Sequence, residues 1–109
     1  MFGTGVFLIP MWKEKKSMHR KEILEHAMKC VCGDREQDYG SPENNFQRIA
    51  TFWSDYLEEE ISSKDVAVML ALLKIARIAS GHAKEDNWVD LAGYAACGGE
   101  IESKGRDEA

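Results

Sequence analysis

The chain has 109 residues, 44% hydrophobic and 30% charged. That length bounds it to one domain with a modest core, for which a homodimer or higher homo-oligomer is a fair expectation. The net charge of −5 argues against a general nucleic-acid binder, which would show a basic face. Three cysteines, Cys30, Cys32 and Cys97, are an odd number and read as free thiols in a reducing compartment.

In chain order, Met1–Pro10 carries an apolar run only from Val6 to Ile9 with no basic residue before it, too little for a signal peptide. Residues 1–17 are therefore expected to be a non-core N-terminal extension, with Met11 and Met18 as alternative starts. The basic run Lys13–Lys16 reads as a solvated arm.

The first helix is predicted from Ser17 or Met18 to Val31, with Ile23, Leu24, Ala27, Met28 and Val31 as its apolar stripe. Glu22 and Glu25 could hold a cation, but they sit among Lys21 and Lys29, and Glu25–Lys29 reads as an ordinary i,i+4 pair. His26, Cys30 and Cys32 lack the matched spacing of a soft-metal site. Gly33 ends this helix.

The following loop, Asp34–Phe46, is the least generic stretch. Gly40, Ser41 and Pro42 are explained as a turn leading into a helix. The cluster of Arg35, Asp38, Tyr39, Asn44 and Asn45 is not. It offers donors and acceptors for a phosphate, ribose or base. A second helix is predicted over residues 42–59, with a broad apolar face from Phe46 to Leu57. Glu58, Glu59 and Glu60 fall at its unfavourable end, where solvent is the expected partner.

Ser62-Ser63-Lys64-Asp65 resembles a capping box with Asp in place of Glu. It opens a third helix that ends near Ser80-Gly81. Between Asp65 and Ala79 only Lys74 and Arg77 are polar, so this helix is expected to be buried on nearly all sides. At about 1.5 Å per residue it runs roughly 25 Å, too short to span a membrane comfortably. The fourth helix is predicted from Glu85 or Asp86 to about Ser103, with Trp88, Leu91, Ala92, Ala95 and Ala96 as its packing face. Asp86, Asp90, Tyr94 and Cys97 form a separate stripe. Gly93, Gly98 and Gly99 each cost the helix roughly 1 kcal/mol, worth carrying only where something packs close. Residues 18–104 thus make the domain, and 105–109 a polar tail.

The short connection between the third and fourth helices makes them an antiparallel hairpin. Counting back from the turn sets Arg77 level with Asp86 to Asp90 and Lys74 level with Asp90 to Tyr94. Buried cations need partners, so a structural ion-pair network is one reading. In the other, Asp86 and Asp90 hold Mg²⁺ while Lys74 and Arg77 grip a phosphate.

Gly33-Asp34-Arg35, Asp38-Tyr39-Gly40, Asn45-Phe46, Asp65-Val66, Leu73–Arg77 and Asp86–Ala95 together resemble a family of small phage and prophage proteins of unknown function. That family is distantly similar to the all-α NTP pyrophosphohydrolases, the MazG-like superfamily. The segment Asp90-Leu91-Ala92-Gly93-Tyr94 also resembles a D-L-A-N-Y run in a phage nucleotide-modification-associated domain. The resemblance implies an all-α, MazG-like antiparallel four-helix bundle, a dimer, and a nucleotide-related role of a phage- or prophage-encoded protein in the host cytoplasm. It implies Mg²⁺ on Asp86 and Asp90, which would serve as catalytic and metal residues. Arg35, Lys74 and Arg77 would hold phosphates, and Tyr39 and Asn45 base or sugar. Asp38 is placed at the substrate site and, with Glu85, is a candidate base. Asp90 matches the last acid of the family's E-x-x-D, with Asn87 at the partner position and Asp86 adjacent. Lys74 and Arg77 stand in the helix that carries E-x-x-E in MazG-like enzymes. Single-metal hydrolysis, nucleotide binding without hydrolysis, and a non-catalytic helical dimer acting as a protein-interaction module are all compatible with that pattern.

Overall fold

The computed structural model describes residues 17–33, 42–81 and 84–108. They form four helices: α1 (Arg20–Cys32), α2 (Pro42–Leu57), α3 (Ser63–Ala79) and α4 (Glu85–Glu108). No strand occurs among the described residues. None of the helices is long and apolar enough to cross a membrane.

Local chemistry sets the helix ends. At α3, Asp65 N–H donates to Ser62 Oγ at 3.1 Å while Ser62 N–H donates to Asp65 Oδ2 at 2.9 Å. This is the capping box expected from the sequence, and it satisfies donors that the first turn leaves open. The backbone N–H of Ser62, then its hydroxyl, lower the Asp65 pKa below its ordinary 3.8. A depressed carboxylate contributes stability above its unfolded pKa and loses it as the pH falls through the folded value. The box is thus intact at neutral pH and weakens in acid below that range. Gly81 follows α3 with φ of 85°, a backbone glycine adopts freely. Glu58 ends α2 at φ of 53°, and Glu59 N–H reaches back to Ser54 C=O at 3.3 Å. Glu58, Glu59 and Glu60 are all exposed, so solvent screens their unfavourable position.

α3 and α4 pack together most extensively, α1 lies on α4, and α2 lies on α3. Three contacts fix the alignment of the central pair: Lys74 with Asp90, Ala67 with Gly98, and Lys64 with Glu102. As one number rises the other falls, so the helices are antiparallel. Ser54 Oγ of α2 accepts from Ile61 N–H at 2.9 Å and donates to Ile61 C=O at 3.2 Å, which ties the α2–α3 turn to α2. The core gathers Phe46, Ala50, Val66, Ala67, Tyr94 and Cys97.

Several expectations change. α3 is not enclosed on nearly all sides. Val66, Ala67 and Lys74 are buried, but Val68, Met69, Leu72, Leu73 and Ile75 lie on the surface of the single chain. One helix face meets α4, and α2 packs on α3 without covering these residues. The packing face of α4 is also rotated from the expected one. Trp88 is 51% exposed and Ala95 and Ala96 are exposed, while Asn87, Val89, Asp90, Gly93, Tyr94 and Cys97 are buried. Close approach explains the rotation: a Cβ on Gly98 would lie 3.2 Å from Ala67 Cβ, and one on Gly93 would lie 3.3 Å from Val31 Cγ1. Gly99, by contrast, faces open space. α4 continues to Glu108, five residues beyond the expected end. On α1, Glu25 sits 4.0 Å from Lys21, and Glu22 accepts from His19 N–H at 3.5 Å.

These glycines make a paired prediction. Gly99→Ala should raise stability by about 0.5–1 kcal/mol, because it gains helix propensity with room to spare. Gly98→Val should lower it by roughly 1–3 kcal/mol by forcing α3 away. Urea denaturation midpoints at constant slope would measure both.

Candidate functional site

The site begins with the stripe Asn87, Asp90, Tyr94, Cys97, which steps by three and four residues along the buried side of α4. Asp90 Oδ2 lies 2.9 Å from Lys74 Nζ, and their side chains are only 1% and 2% exposed. Lys74 is reached because α3 and α4 run antiparallel with Gly98 allowing close contact lower down. The pair is therefore sealed between the two helices. Desolvating two charges is costly, and only close geometry of this kind offsets it.

One turn before Asp90, Asp86 lies half-buried in the first turn of α4. Its Oδ1 is buried and has no hydrogen-bond partner among the described residues. One turn after Lys74, Arg77 is exposed and pairs with no carboxylate among the described residues. The expectation that both cations of α3 are buried is thus corrected. Arg77 falls in the last turn of α3, where its charge complements the helix dipole and its long stem reaches solvent.

Asn45 sits half-buried in α2 beside the fully buried Phe46, whose ring centroid lies 6.3 Å from that of Tyr94. Val31, near the end of α1, lies against Gly93. The described ends of the connection between α1 and α2 therefore both rest on α4 about one turn beyond Asp90. Arg35, Asp38 and Tyr39 belong to that connection and lie outside the described residues. The structure thus pairs Lys74 with Asp90, sets Asp86 one turn before and Tyr94 one turn after Asp90 on α4, keeps Asn45 next to the Phe46 that meets Tyr94, and leaves Arg77 exposed.

Among the described residues, the arrangement offers a metal two carboxylates, Asp86 and Asp90. No group of three or more His, Cys, Asp or Glu side chains converges among the described residues. Glu22 and Glu25 on α1 remain a separate, solvated set. The buried position of Asn87, 6% exposed, was not singled out by sequence reasoning as part of the packed stripe. The available signal was its i+3 spacing to Asp90, which puts both on one helix face.

The model of a domain of unknown function, DUF6378, matches residues 22–102. The Gene 55 protein of Mycobacterium phage D29 is 46% identical over 77 residues, covering 71% of this chain and 51% of its own length. The Gene 55 protein of Mycobacterium phage L5 is 47% identical over 74 residues, covering 67% and 47%. The chain thus spans about half the length of these curated relatives. No solved structure matches it.

The sealed pair makes a stability prediction. Lys74→Met strands a buried carboxylate and should cost about 3–5 kcal/mol. The double change Lys74→Met/Asp90→Leu removes both charges and should recover most of that loss. Urea unfolding of the two variants and the parent reads the difference directly.

Proposed function

The chain belongs to the DUF6378 family of unknown function, and from that premise we propose that it is a phage-type nucleotide-binding protein whose site is the N-terminal end of α4. The observation that carries this reading is Asp86 Oδ1, a buried carboxylate oxygen with no hydrogen-bond partner among the described residues. Such an oxygen costs roughly 1–3 kcal/mol or more unless something compensates it. A divalent cation is the compensation this set of side chains can use. Asp86 and Asp90 stand at i,i+4, and Mg²⁺ takes one or two protein carboxylates with the rest of its shell from water and phosphate. With Lys74 balancing Asp90, one negative charge is left over in the trio. That suits a single cation bridging to a phosphate rather than a multi-metal centre.

In this assignment Lys74 positions Asp90, since its ammonium is already committed at 2.9 Å. Arg77 at the rim and Arg35 in the α1–α2 connection grip phosphates, and Tyr39 and Asn45 contact base or sugar. Mg²⁺ supplies charge neutralisation on the phosphates when bound. The MazG-like resemblance extends the reading to Mg²⁺-dependent NTP pyrophosphohydrolysis, with Asp38 and Glu85 as the candidate bases. A bundle architecture and an intracellular site of action in the infected host go with the same resemblance.

The second reading is a non-catalytic helical dimer acting as a protein-interaction module. The near-complete burial of Lys74 and Asp90 favours it, because a sealed ion pair needs no ligand to account for it. Thermal denaturation with canonical and modified NTPs, with and without Mg²⁺ or Mn²⁺, separates the two. The nucleotide reading expects a rise of several degrees at saturating ligand, lost in Asp86→Asn, with pyrophosphate release where hydrolysis occurs. No shift from any nucleotide together with no pyrophosphate would overturn it.

A further inference from the structure

We draw no further inference here: the strongest candidate, the exposed apolar face of α3 formed by Val68, Met69, Leu72 and Ile75 on the side away from Asp90, carries nothing because nothing in the structure shows what covers it.

Discussion

The ion pair between Lys74 and Asp90 constrains everything around it. An ammonium and a carboxylate removed from water must stay within hydrogen-bonding distance, and 2.9 Å leaves no slack. That requirement sets the register of α3 on α4. From the same register follow the contact of Gly98 with Ala67, the buried place of Tyr94 beside Phe46, and the outward turn of Leu72. A pair of this kind adds little net stability compared with a well-packed apolar core. Its larger consequence is specificity, because a shift of α3 by one residue would strand both charges.

The pair also gives α3 two faces with different duties. Because Lys74 is held inward, the apolar residues on the far side cannot also reach α4. Val68, Met69, Leu72 and Ile75 on that side stay exposed, so α3 carries an apolar face that α4 does not cover. The same geometry divides the acidic residues of α4. Asp90 is neutralised within the fold, whereas Asp86, one turn nearer the helix start, keeps a buried oxygen without a hydrogen-bond partner among the described residues. Stability and ligand chemistry can thus be carried by neighbouring carboxylates on a single stripe, with α1 and α2 both anchored on α4 close by.

Much of this was legible in the residues. The Ser62–Asp65 box was readable because a cap depends on four consecutive residues and nothing distant. The pairing of Lys74 with Asp90 was readable because a short turn fixes the register of an antiparallel hairpin by counting. The packing face of α4 was not. Trp88, Ala95 and Ala96 look like core residues by composition, but Gly93 and Gly98 let the neighbouring helices approach on the other side, so Asn87 and Asp90 go inside. Arg77 misled for a related reason: an apolar sequence context says nothing about which side of a helix a neighbour occupies. The residues with the most distinctive chemistry, Arg35, Asp38 and Tyr39, lie outside the described residues, and their part in the site rests on the sequence.

If the Lys74–Asp90 pair sets the register of α3 on α4, the two helices can part there only when the whole fold opens. Native-state hydrogen exchange of the full chain tests it most directly, because it reads the opening free energy amide by amide. The account predicts that the amides one turn either side of Lys74 and of Asp90 exchange only through global unfolding, while those of α1 and the end of α4 exchange through smaller openings. Exchange around Lys74 and Asp90 by a local opening well below the global free energy would contradict it.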